Sequence, residues 1–119
     1  SWRGELAQVR AQVGRFEFTG PLVVNAEGST PVTAGAVRLK AGRWRVGAYL
    51  GCESAAHRAT LELRRSSDGT LITSLSTAGV LAGQADDFSL NAHEWIELSL
   101  SCNDAAGVAL LRGLSVERI

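Results

Sequence analysis

Residues 39–50 read LKAGRWRVGAYL. From residue 43 onward every second position is apolar: Trp44, Val46, Ala48 and Leu50 on one side, Arg43, Arg45, Gly47 and Tyr49 on the other. Successive side chains of a strand point to opposite faces, so this period of two predicts a strand with one buried and one solvent side. Ala41-Gly42 marks the turn that leads into it. The outward side carries two guanidinium groups, a gap at Gly47 and a phenol.

The same period extends outward in both directions. Upstream, Phe16 and Phe18 alternate with Arg15 and Glu17, Gly20-Pro21 turns the chain, and residues 22–25 read as a short strand. Residues 26–36 (AEGSTPVTAGA) are small and polar with Gly and Pro, which predicts a loop, and Val37 and Leu39 begin another strand. Downstream, residues 53–57 (ESAAH) make a loop before Ala59, Leu61 and Leu63. Ser67-Asp68-Gly69 is a hairpin signal, because Asp-Gly supplies the positive φ that tight turns require. Residues 71–75 return, 78–87 read as a small-residue loop, and 88–90 form a short strand. Ile96, Leu98, Leu100 and Cys102 point inward in the next strand, and Val108, Leu110, Leu114 and Val116 carry the last. About eight antiparallel strands joined by turns predict an all-β sandwich of the jelly-roll type.

The first residues differ. Trp2, Leu6, Val9 and Val13 are spaced four, three and four apart, a heptad-like stripe on a helix with Glu5, Gln8, Arg10 and Gln12 on its polar side. An extended reading, with Val9, Ala11 and Val13 alternating, competes with it. The expected division is a stem or arm over residues 1–14 and a β domain over 15–119.

A chain of 119 residues that is 45% hydrophobic can bury a core of its own as one domain. No apolar run approaches the ~20 residues of a membrane-spanning helix, and no secretory signal pattern opens the chain. With no methionine, the chain is expected to start after processing or to be a fragment of something longer. Acidic and basic residues number 12 each and are interspersed. That balance argues against nucleic-acid binding, in which phosphate neutralisation calls for a basic surplus. Lys40 is the one lysine among the 12 basic residues; the rest are arginine, which fits either a GC-rich genome or bidentate recognition.

The chemistry-bearing residues form no catalytic pattern. His57 and His93 sit in separate predicted loops, without the clustered spacing of metal ligands. Asp86-Asp87 is the one adjacent acidic pair and a weak candidate for calcium, a cation that prefers oxygen ligands; no calcium-loop spacing accompanies it. Ser54 lies near His57, but no nucleophile elbow or orienting carboxylate accompanies them. Glu53, Asp87, Glu94 and Glu97 could serve a glycosidase only as a pair across a cleft, which the sequence does not place. Neither a cofactor nor an enzymatic activity is expected. Cys52 and Cys102 each continue the inward parity of their strands, so buried free thiols and a disulfide both remain open.

The candidate binding or subunit-contact residues are Arg43, Arg45, Tyr49 and Trp95. An outward aromatic ring can stack on a sugar, and Tyr, Trp and Arg are equally enriched where subunits meet.

The stretch at residues 39–50 resembles the strand signature of compact trimeric jelly rolls. These include tumour-necrosis-factor-like and complement-head-like domains and the heads of bacteriophage fibres and capsid decoration proteins. The closing GVALLRGLSVERI, residues 107–119, is similar to the last strand of such domains. Sandwich-type carbohydrate-binding modules share much of this pattern. With the heptad stripe ahead of it, the resemblance implies a non-enzymatic virion module, assembled in the bacterial cytoplasm and displayed on a particle. It would form a homotrimer through Trp2, Leu6, Val9 and Val13, contact other virion proteins and attach to host glycans. The alternative is a carbohydrate-binding module of a larger secreted enzyme. A small hydrolase is a distant third, since fold alone gives no function.

Overall fold

The computed structural model describes residues 16–18 and 24–119. The expected stem residues Trp2, Leu6, Val9 and Val13, and the boundary at residue 14, lie outside the described residues.

Nine strands are present among the described residues: β1 (Phe16–Phe18), β2 (Val24–Glu27), β3 (Val32–Leu39), β4 (Gly42–Cys52), β5 (Arg58–Arg65), β6 (Leu71–Ala78), β7 (Ala82–Leu90), β8 (Glu94–Cys102) and β9 (Val108–Arg118). They form two antiparallel sheets. Sheet A has the order β1-β9-β4-β7, with β2 also paired to β9; sheet B has the order β3-β8-β5-β6. β1 pairs with residues 114–116 of β9 and β2 with residues 108–111, so these two short strands follow one another along the same edge. The connections β3–β4, β4–β5, β6–β7, β7–β8 and β8–β9 each pass from one sheet to the other, as sandwich topologies require.

The core lies between the sheets and follows the period of two. Sheet A contributes Trp44, Val46, Ala48 and Leu50 from β4 and Leu111, Leu114 and Val116 from β9, all buried. Sheet B answers with Ile96, Leu98 and Leu100 from β8 and Ala59, Leu61 and Leu63 from β5. Truncating one of these fully buried leucines, as in Leu98→Ala, is expected to cost about 2–5 kcal/mol through lost burial and the cavity left behind. Trp44 is anchored at its polar edge, where Nε1 donates to the Lys40 carbonyl at 2.9 Å. The Arg118 guanidinium lies 5.7 Å from its ring centroid. The β5–β6 hairpin turns at Asp68-Gly69, with Gly69 at φ +74° and the Thr70 amide donating to Asp68 Oδ1 at 3.0 Å.

Two segments read from sequence as loops are largely strand. Residues 32–36 belong to β3, whose Ala34, Gly35 and Ala36 are buried beside a register shift between Thr33 and Gly35. Residues 82–87 belong to β7, which pairs with β4 from Leu90 back to Ala82 although residues 83–86 are all exposed. Both are edge strands held largely by backbone pairing to a well-patterned neighbour, so their own sequences carry little apolar alternation. The short strand read at residues 22–25 is observed as β2, at Val24–Glu27. Among the described residues, no helix is long and apolar enough to cross a membrane.

Candidate functional site: the outer face of sheet A

β4 is the centre of the site. Its outward residues Arg43, Arg45 and Tyr49 are exposed, and Gly47 between them is partly so. The neighbouring strands decide what surrounds them. Tyr49 is paired with Gly83 of β7 on one side and Gly113 of β9 on the other. Tyr49 is 48% exposed. A side chain at Gly83 would meet nothing within 4 Å, so the surface beside the phenol is open there. Gly47 is likewise flanked by small residues, Ala85 and Ser115. A Cβ at Gly47 would stand 2.8 Å from Ser115 Oγ. The result is a shallow floor of glycine, alanine and serine next to one standing ring.

The floor is bounded at both ends. Beyond Tyr49, the β6–β7 connection crosses over Gly51, where a Cβ would stand 2.6 Å from the Leu81 amide nitrogen. Only glycine lets the two backbones approach this closely. At the other end Arg45 and Asp87 face each other across β4 and β7. Arg45 Nε and Nη2 donate to Asp87 Oδ1 and Oδ2 at 2.7 and 3.1 Å, and Arg43 Nη2 lies 3.9 Å from Asp87 Oδ2. The Arg45 hydrogen bonds, with its charge, hold the Asp87 carboxyl below the usual carboxylate range. This end therefore offers fixed, charged donors and acceptors next to an apolar ring, a combination suited to ligands with hydroxyl groups around an apolar face.

Trp95 is on the other side of the molecule. It is 46% exposed on β8 of sheet B, paired with Arg38 of β3. The four candidate contact residues therefore divide into Arg43, Arg45 and Tyr49 on one outer face and Trp95 on the opposite one. Asp86 and Asp87 also separate. Asp87 faces outward to Arg45, while Asp86, the next residue of the strand, accepts a hydrogen bond from Thr73 of β6. Consecutive strand residues face opposite ways, so these two carboxylates do not converge on one calcium ion. His93 is exposed in the β7–β8 turn.

The sequence reading missed Gly83, Ala85, Gly113 and Ser115 as part of the site. Their signal was faint: each is a small residue, and only the register of β7 and β9 against β4 brings them beside Tyr49.

No protein-family model matches the chain, and no curated protein matches it by sequence. Among solved structures, the fold is that of carbohydrate-binding modules. A structure described as "CBM4 structure and function" superposes with a TM-score of 0.61 at 8% identity, covering 95% of this chain and 84% of that one. A family 6 module from Cellvibrio mixtus lichenase 5A, solved with cellotriose, gives 0.54 at 10% identity, covering 90% and 88%. A CBM36 module solved with calcium and xylotriose gives 0.53 at 12% identity, covering 87% and 95%. These likenesses show a shared β-sandwich. They also correct the expectation drawn from trimeric virion jelly rolls: these three domains, matched over most of their length, are carbohydrate-binding modules, the reading placed second from sequence.

Proposed function

We propose that this domain is a non-catalytic carbohydrate-binding module that holds a glycan chain on the outer face of sheet A. The observation that carries the reading is Tyr49, half exposed and flanked by Gly83 and Gly113. A pyranose presents an apolar face of C–H groups edged by hydroxyls. The phenol supplies a rigid apolar surface for that face with few torsions to fix. The glycine, alanine and serine floor leaves room for neighbouring sugars, and the Arg45–Asp87 pair supplies donors and acceptors for their hydroxyls. The shared fold adds support, because related architectures were solved with cellotriose and xylotriose.

The test is a glycan array that includes cello- and xylo-oligosaccharides, followed by affinity measurement of the hits with Tyr49→Ala. Binding that falls at least tenfold in Tyr49→Ala, with an unchanged circular dichroism spectrum and melting temperature, supports the reading. An array with no hit, or hits indifferent to Tyr49→Ala, overturns it.

A further inference from the structure

We infer that the end of the sandwich where the β4–β5 and β8–β9 loops meet is a site for a zinc-class divalent cation, with Glu53, His57 and Cys102 as its protein ligands. Glu53 and His57 come from the β4–β5 loop and Cys102 from the end of β8, far apart along the chain, yet one ligand atom from each lies within 4.8 Å of the others. They close around Gly107. A Cβ there would collide with Cys102 Sγ and stand 2.9 Å from His57 Nδ1 and 3.1 Å from Glu53 Oε1. Three donors of different chemistry thus converge on one point that only glycine leaves open.

The donor set selects the cation. A thiol and an imidazole are ligands for borderline-soft metals, whereas calcium and magnesium take oxygen. Tetrahedral zinc holds thiolate, imidazole and carboxylate atoms about 3.3–3.8 Å apart at its ordinary bond lengths. Glu53 Oε2 and His57 Nδ1, 3.2 Å apart, already stand near that spacing, so an ion can replace the contact between them with little movement. With Nδ1 on the metal, the other ring nitrogen faces Asp104, whose Oδ2 lies 3.6 Å from His57 Nε2. An outer carboxylate on the far nitrogen of a ligating histidine is the usual means of fixing its tautomer and orientation.

The frame is held in place by backbone bonds. The Glu53 amide donates to the Val108 carbonyl, Gly79 donates to His57, and Gly107 donates to Asp104. Glu53 Oε1 also accepts the Val108 amide at 2.7 Å, which leaves Oε2 to turn toward an ion. Cys102 is buried and unbridged, as is Cys52. Glu53 and His57 are partly open to solvent, so the fourth position of a tetrahedron is left for water.

The test uses reduced, chelator-treated protein titrated with zinc chloride by calorimetry, and with cobalt chloride by absorption. One equivalent of zinc is expected to bind, and zinc at about a hundred times its dissociation constant should raise the melting temperature on the order of 10 °C. Cobalt should produce a thiolate-to-metal charge-transfer band in the near ultraviolet. Cys102→Ser and His57→Gln should each weaken zinc binding at least a hundredfold, and Cys102→Ser should abolish the band, while Cys52→Ser keeps both. His57→Gln at the partly exposed loop position serves as the variant least prone to disturb the fold. Absence of zinc binding, retention of the band in Cys102→Ser, or preference for calcium over zinc would overturn the assignment. None of these outcomes depends on whether Tyr49 binds a glycan.

Discussion

Among the described residues, each outer face of the sandwich displays one exposed large aromatic side chain, and the two differ in what stands beside it. On sheet A, Tyr49 is bordered by Gly83 and Gly113 across the strands. On sheet B, Trp95 is paired with Arg38 and shares its face with charged side chains: Glu97 accepts from Thr33, and Arg64 pairs with Glu62. Exposure of an aromatic ring therefore does not by itself mark a binding surface. A ligand as wide as a sugar needs the neighbouring positions to be low, as Gly83 and Gly113 are beside Tyr49.

The comparison can be broken most directly at Tyr49. Tyr49→Ala should weaken glycan binding at least tenfold, about 1.4 kcal/mol or more, the loss of a central aromatic anchor. Tyr49→Phe, which keeps the ring, should stay within about threefold, roughly 0.6 kcal/mol. Isothermal titration with the best array hit separates these outcomes, and equal losses in both variants would shift the weight from the ring to the hydroxyl.

The next effect is expected at the open floor. Gly83→Leu should fold, since a side chain there meets nothing within 4 Å, and should weaken binding about tenfold by filling the space beside the ring. Unchanged affinity would show that the glycan does not cross β7. By contrast Gly51→Ala should leave the floor intact and lower thermal stability, on the order of 1–3 kcal/mol, because its Cβ collides with the Leu81 backbone.

Trp95→Ala sharpens the comparison from the other face. It should leave glycan affinity within about twofold. A tenfold loss there would move the site to sheet B.

The smallest effect concerns Asp87. Its carboxyl is held below the ordinary range by Arg45, so the stabilisation is complete above the unfolded value of about 4 and is lost as pH falls through the lower folded value. Both partners are well exposed, so solvent screens the pair strongly. The melting temperature of the wild type should exceed that of Asp87→Asn slightly at pH 7 and converge with it in acid. A gap that widens on acidification would contradict the pairing.

Much of the fold was legible in single strands. The parity of Trp44, Val46, Ala48 and Leu50, and of Ile96, Leu98 and Leu100, reports burial directly, because one face of each strand meets the core. β7 was not legible. Gly83, Gln84, Ala85 and Asp86 are exposed on an edge strand, so no apolar rhythm records its pairing with β4. The site followed the same division. The outward parity of Tyr49 and Trp95 is local information, whereas their assignment to opposite sheets depends on strand order. The glycine borders of Tyr49 depend on register between segments far apart in the chain. The meeting of Glu53 and His57 with Cys102 is of the same kind: along the chain a loop and a distant strand end carry them, and only the sandwich brings the two together.

The central claim, that a glycan lies across the outer face of sheet A, is tested most directly by amide chemical-shift mapping of the labelled protein during titration with an oligosaccharide hit. Shifts concentrated at residues 47–49, 83–85 and 113–115 are predicted. Shifts concentrated around Arg38 and Trp95, with the Tyr49 region unmoved, would contradict it.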